Sequence, residues 1–300
     1  MRLLMPQSKV IGMLPIPAIE IPWWKKLLFL LLETLGFVAI ATLVVLLLDQ
    51  LISPLTLAVA PLELRELFKE WGITLLAVFS AAYLLNLFAR RPGLAEMGFT
   101  TARLGYSLGT GLWVGSSILV LCFLLLWVGG WVQITAFLFE PPLFWGWLLF
   151  FLIQPLAEEI VMRSFLQAHL QHYFGPQVAL LGAALVFGLL HAGNDAFTWL
   201  AGLEIVLGGY LMGQLYLHTQ SIWAPFALHA SWNFLQSTVL GFAVSGMNTY
   251  RLLQLDINGP EWLTGGEFGL EGSLLTVILL GVAIAYFKKR NREISPLPQA

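Results

Sequence analysis

Long apolar segments alternate with short polar ones along most of the chain. A helix needs roughly 20 apolar residues to cross a bilayer core of about 30 Å, and shorter segments suffice inside a bundle. The pattern predicts an all-α, polytopic membrane protein with about eight transmembrane helices, at residues 27–48, 72–89, 106–130, 143–170, 178–192, 197–217, 223–243 and 273–287.

The composition agrees with this pattern. Hydrophobic residues make up 58% of the chain and charged residues 11%, whereas about 25% of residues are charged in ordinary globular domains. The net charge is −2, and no basic stripe suggests nucleic acid as a partner. The single cysteine, Cys122, lies in an apolar segment and excludes a disulfide within the chain.

Charged residues outside the apolar segments separate by sign. In an eight-span topology, one side holds the basic residues Lys25, Lys26, Arg90, Arg91, Arg103, Lys288, Lys289, Arg290 and Arg292. The opposite side holds Asp256, Glu261, Glu267 and Glu271. Because cytoplasmic loops are enriched in Lys and Arg, both termini are predicted to be cytoplasmic, and residues 245–273 are predicted to form an external loop.

The predicted spans divide the chain into three parts. Residues 1–142 form an N-terminal membrane region with three spans, and residues 143–243 form a core that carries most of the intramembrane polar residues. Residues 244–300 comprise the external loop, the last span and a basic cytoplasmic tail.

Five ionisable residues lie within or at the edge of apolar segments: Glu158, Glu159, Arg163, His191 and His229. A charged side chain in the middle of a membrane costs roughly 2.5–3.5 kcal/mol on insertion scales. Several such residues in neighbouring spans therefore predict mutual contact, and we interpret them as one active site.

Glu159 and Arg163 are four residues apart and fall on one face of the fourth helix, so they are predicted to form a structural ion pair. Glu158 points about 100° away from that face. Without its own counter-charge, Glu158 is the candidate general base. Pro155 lacks an N–H group and is expected to loosen the helix just before the two glutamates.

The sequence leaves two chemistries open. Glu158, His191 and His229 could bind one zinc ion with an open position for water. Alternatively, Glu158 and His191 take a proton from water without a metal, while His229 and Asn233 stabilise the developing oxyanion. We prefer the metal-free version and assign no certain cofactor, because a tight zinc site normally has carboxylates that hold each histidine, and only Asp195 and Glu204 are available for that.

Three motifs in this order resemble the CPBP intramembrane proteases: EExxxR at Glu158–Arg163, FxxxH at Phe187–His191 and HxxxN at His229–Asn233. That family includes type II CaaX prenyl endopeptidases and bacteriocin-processing or immunity proteins. The resemblance covers about residues 143–243, which are therefore predicted to form a CPBP protease-like core. It implies a helical fold with a conical cavity and endopeptidase activity on membrane-associated proteins or peptides, prenylated ones included.

Two other functions use the same residues. A non-catalytic immunity or scaffolding protein would bind a peptide or membrane partner, and a proton-coupled transporter would use Glu and His as a proton relay.

Glu33 and Glu204 are further acids at membrane depth. Each either reaches the cavity or is protonated or capped by a neighbouring polar group.

Overall fold

Each of the eight predicted spans coincides with a helix in the computed structural model, which describes residues 21–52, 64–88 and 93–294. Two π-helices, Ile160–Gln167 and Phe234–Val239, directly follow α4 and α8. The α-helices are α1 (Trp23–Ile52), α2 (Arg65–Phe88), α3 (Leu104–Val128), α4 (Pro141–Glu159), α5 (Ala168–Phe174), α6 (Pro176–Leu190), α7 (Trp199–Thr219), α8 (Trp223–Asn233), α9 (Glu261–Thr264) and α10 (Leu274–Ile294).

Within the described ranges, five helical segments are long and apolar enough to cross a membrane: α1, α2, α3, the continuous segment Pro141–Phe174, and α7. The apolar helix α6 is shorter, with 15 residues. The other two predicted spans are α8, which has 11 residues before its π-helix, and α10, which carries charged residues in its second half. The helical membrane fold is thus confirmed, with fewer full-length spans than the eight predicted.

The predicted external loop contains structure that the hydrophobic pattern does not reveal. Strand β2 (Leu253–Ile257) pairs antiparallel with β1 (Val132–Phe137), and the register shifts between Ile134 and Ala136. Two short 3₁₀ turns follow, and their residues Phe268 and Leu270 are almost fully buried. Sheet pairing across more than a hundred residues depends on tertiary packing, so the pattern in one segment does not predict it.

The main hydrophobic core lies among α3, α6, α7, α8 and α10. Helix α3 packs closely on α8, because a Cβ atom at Gly111 would lie only 2.0 Å from the carbonyl oxygen of Ala224. At Gly115 the corresponding distance to the Leu228 carbonyl oxygen is 3.0 Å. Small residues let helix backbones approach in this way, and here they fix the position of the helix that carries His229.

The α-helical geometry of α4 continues through Pro155 and ends at Glu159. The prediction that the helix loosens just before the two glutamates is therefore wrong. The helix widens after them, from Ile160 onward. In the π-helix the N–H of Ala168 bonds to the carbonyl oxygen of Arg163, five residues earlier. Glu158 thus sits at the end of a regular helix, and the irregular turns come after it.

Helix α1 contacts α5 through a polar cluster. The Tyr173 hydroxyl donates a hydrogen bond of 2.8 Å to Oε1 of Glu33, and Nε2 of His169 lies 3.7 Å from Oε2 of the same carboxylate. Glu33 is therefore held by a contact between α1 and α5.

Residues 1–20 and 295–300 lie outside the described ranges, so the cytoplasmic location of both termini stays a prediction. The division of the chain into three parts also stays a prediction.

Candidate active site

A cavity of about 860 Å³ is bounded by α2, α4, the end of α6, α8 and residues 244–248. Glu158, His191, His229 and Asn233 all line it. Its volume falls in the usual range for small-molecule sites, roughly 300–1,000 Å³. The structure thus brings together side chains that the sequence places on three separate spans.

Glu158 presents one carboxylate oxygen that has no hydrogen-bond partner among the described residues. Its Oε1 accepts a hydrogen bond from Nε2 of Gln154. Its Oε2 is buried and unpartnered, and Nε2 of His229 lies 3.7 Å away. The side chain keeps 19% of its surface exposed. This leaves Oε2 as the oxygen that is able to accept a proton.

Glu159, the next residue, is fully buried. Nε of Arg163 donates to its Oε2 at 2.7 Å, and neither side chain has exposed surface. Nη1 of Arg163 also donates to Oε1 of Gln167 at 3.3 Å. Gln167 in turn donates to the carbonyl oxygen of Gly213 at 3.2 Å. This chain of bonds ties α4 and the following π-helix to α7.

Glu159 also holds His229. Nδ1 of His229 lies 3.1 Å from Oε1 of Glu159. An ionised carboxylate only accepts hydrogen bonds, so this contact requires the proton on Nδ1. Nε2 of His229 then donates only when the ring carries both protons. The two flanking carboxylates, Glu158 and Glu159, supply the negative charge that such an imidazolium faces.

His191 follows the last residue of α6 and is fixed by the preceding turn. Its Nδ1 contacts the carbonyl oxygen of Phe187 at 2.8 Å. Because a carbonyl only accepts, the proton is on Nδ1, and a neutral ring has its lone pair on Nε2. The Phe187 ring packs against His191 at 4.5 Å and edge-on against His229 at 5.7 Å. The phenylalanine of FxxxH therefore sets the position of both imidazoles.

Gln154 is a site residue that the sequence analysis did not identify. Its amide donates to Oε1 of Glu158, while its own oxygen accepts a 3.2 Å hydrogen bond from Nδ2 of Asn233. It bridges the candidate base and the candidate oxyanion donor. The signal was present in the sequence, since Gln154 and Glu158 have the four-residue spacing of helical side-chain pairs.

A small chamber of about 40 Å³ lies behind the two imidazoles, and Glu204 and Glu271 both line it. Glu271 was expected in an exposed acidic loop, but its side chain is buried and accepts hydrogen bonds from the backbone N and the hydroxyl of Ser245. Burial raises the pKa of the Glu271 carboxyl above its usual value, and the bonds from Ser245 oppose that shift. A chamber of this size has room for a few water molecules.

A catalytic zinc site needs three protein ligands close enough to hold one ion. Among the residues that the structure describes, no three His, Cys, Asp or Glu side chains are grouped so that they could hold a metal ion. Glu158, His191 and His229 share the cavity wall without converging in that way. The residues as placed do not fit a zinc ion. The zinc alternative stays a prediction, which measurement of the metal content of purified protein would test.

Comparison with known proteins supports the resemblance seen in the motifs. Residues 140–235 match the family model described as type II CAAX prenyl endopeptidase Rce1-like. That segment contains every sequence-predicted site residue from Glu158 to Asn233. No curated protein and no solved structure matches the chain. The resemblance is thereby confirmed for residues 140–235, about a third of the chain, and the matched family model describes an endopeptidase.

Proposed function

We propose that this chain, whose residues 140–235 are Rce1-like, is an intramembrane endopeptidase that hydrolyses a peptide bond of a membrane-associated protein or peptide. The single observation that carries the proposal is the shared cavity: Glu158, His191, His229 and Asn233 line one space that is large enough for a peptide segment. The family match supports the same reaction class.

In this mechanism, Glu158 and His191 activate the attacking water molecule. Oε2 of Glu158 has no hydrogen-bond donor among the described side chains, and Nε2 of His191 carries the lone pair in the neutral ring. A water molecule between them gives a proton to one of these atoms while its oxygen attacks the carbonyl carbon. The same proton then passes to the leaving nitrogen when the C–N bond breaks.

His229 and Asn233 stabilise the oxyanion by donating hydrogen bonds to it. Asn233 uses one N–H in the bond to Gln154, and its amide group has a second hydrogen for the substrate oxygen. Nε2 of His229 supplies the other donor when the ring is doubly protonated. Glu159 and Arg163 act indirectly, because the ion pair keeps Glu159 charged and in contact with His229.

Prenylated proteins are one class of membrane-associated substrate that this proposal includes. A non-catalytic immunity or scaffolding protein, or a proton-coupled transporter, would use the same cavity without hydrolysis. Neither alternative needs Glu158 to act as a base. The effect of replacing Glu158 therefore separates the proposed function from both.

The test compares membrane proteins and secreted peptides from cells that carry the parent protein or Glu158→Ala. Loss of a general base typically lowers a rate by about 10²–10⁴, so products that depend on the parent should disappear. Glu267→Ala removes an exposed acid that does not line the cavity, and it serves as the matched control. Undiminished product formation by folded Glu158→Ala would contradict the proposed mechanism.

A further inference from the structure

The cavity opens at one end of the helix bundle. The exposed residues at its rim include Gly193 and Asp195, which follow α6, and Asn248, which follows α8 and its π-helix. Leu67, in the first turn of α2, belongs to the same wall. His229 and Asn233, by contrast, are buried. Exposure thus falls from the rim toward the candidate catalytic residues.

The opposite side of the site is closed. Arg163 and Gln167 have no exposed surface, and their hydrogen bonds connect the π-helix to α7. The hydroxyl of Ser164 donates to the carbonyl oxygen of Met97 at 2.6 Å. This buried layer separates the cavity from the far end of the bundle, so a substrate has access from the rim.

The far end of the bundle is where the basic helix ends meet. Tyr106, near the start of α3, bonds to His218 at the end of α7 at 2.9 Å. His218 bonds in turn to Asn291 near the end of α10, also at 2.9 Å. The basic residues of these helix ends, and of the start of α1, are Lys25, Lys26, Arg103, Lys288, Lys289 and Arg290.

The cavity end has the opposite charge. Acidic residues of the described segments at this end include Glu66, Glu140, Asp195, Asp256, Glu261 and Glu267. Cations here include Arg65, Arg251 and Lys69, and Lys69 lies 3.7–3.8 Å from carboxylate oxygens of Glu66 and Asp49. In membrane proteins the excess of Lys and Arg near short loops marks the cytoplasmic side.

We infer that the cavity opens toward the non-cytoplasmic side of the membrane, and that the cleaved bond lies in an extracytoplasmic segment of a membrane-anchored protein or peptide. The inference about the substrate rests on the proposed endopeptidase function. The inference about the opening rests on charge and geometry alone. A C-terminal segment that faces the cytoplasm would have to cross the buried layer of Arg163 and Gln167 to reach Glu158.

The orientation can be measured without catalysis. Cys122 is replaced by Ala so that no other thiol remains, and single cysteines are introduced as Asn248→Cys at the rim and Lys289→Cys at the basic end. Intact cells are treated with a membrane-impermeant maleimide. We expect complete labelling of Asn248→Cys from outside, and labelling of Lys289→Cys only after permeabilisation. Any other pattern overturns the inferred orientation.

The side of cleavage is read from new protein termini in the same cells. Termini that appear with the parent protein and vanish with Glu158→Ala should map to extracytoplasmic segments next to membrane spans. Glu158-dependent termini in cytoplasmic segments would overturn the inferred substrate and leave the endopeptidase activity intact. Absence of any Glu158-dependent termini would contradict the proposed function and its substrate together, while the maleimide pattern would still report where the cavity opens.

Discussion

Glu158 and Glu159 are adjacent in the chain, but they face two different regions of the molecule. The region around Glu159 is a closed layer in which Arg163 supplies a full counter-charge at 2.7 Å. The region around Glu158 is a cavity wall where the neutral Gln154 donates to one oxygen and the other has no hydrogen-bond partner among the described side chains. A carboxylate bound to a buried cation is stabilised in its charged form and has a structural role. One that keeps a free oxygen beside a cavity is able to exchange a proton.

The largest expected effect concerns the closed layer. Arg163→Ala leaves Glu159 without its counter-charge in a low-dielectric region, and breaking a buried pair costs about 3–5 kcal/mol of stability. Thermal unfolding in detergent measures this loss. The double variant Glu159→Gln/Arg163→Met removes both charges and should recover much of the stability. Equal stability of Arg163→Ala and the parent would contradict the contrast between the two regions.

The next effect concerns the cavity wall. Asn233→Ala removes one proposed oxyanion donor and should lower kcat by about 10²–10³. KM should change little, because the lost interaction forms mainly in the transition state. Asn258→Ala, at an exposed position just after β2, is the matched control. A rise in KM at constant kcat would instead assign Asn233 to substrate binding.

A smaller effect is expected from replacing Gln154, which hydrogen-bonds to both Glu158 and Asn233. Gln154→Ala removes a hydrogen bond to a charged group, worth about 1.5–3 kcal/mol, so activity should fall roughly 10- to 100-fold. Thermal stability should change less than in Arg163→Ala, since Gln154 lies at the cavity. The exposed Gln177→Ala serves as control. If activity were unchanged, Gln154 would not position either partner.

The smallest expected effect is that of metal removal. If Glu158 and His191 activate water directly, a chelator should leave the activity unchanged, and purified protein should contain negligible metal. If the three residues ligate zinc, loss of any one should lower bound metal together with activity. Stoichiometric zinc in the active parent that is lost in His229→Ala would overturn the metal-free mechanism.

The ionisable residues of the candidate site could be identified from the sequence because each one breaks a strong pattern. Ionisable side chains in apolar segments are conspicuous, and the spacing of Glu159 and Arg163 predicts their contact from helix geometry alone. The contact of Glu159 with His229 joins positions 70 residues apart, so it depends on how α4 and α8 pack. Local spacing contains no information on that packing.

The acidic segment before α10 shows the limit of such reasoning. Its Gly-rich, charged composition is typical of an exposed loop, yet Glu271 is buried behind the imidazoles. The residue is placed there by the 3₁₀ turns and by its bonds to Ser245. The π-helix after Glu159 was missed for a related reason, since its sequence IVMRSFLQ contains no proline or glycine that would mark an irregular turn.

The π-helix has a consequence for insertions and deletions in this chain. Consecutive residues of an α-helix are about 100° apart around the axis, and a widened turn contains one more residue than the regular helix would. The widened turn accommodates that residue locally, so deleting one residue between Ile160 and Gln167 should restore ordinary helical geometry and keep Tyr173 and His169 beside Glu33. The same deletion within α4 would instead rotate all that follows by about 100° and break the polar attachment of α1 to α5. The π-helix is thus the part of this long helix where a change in chain length disturbs the following residues least.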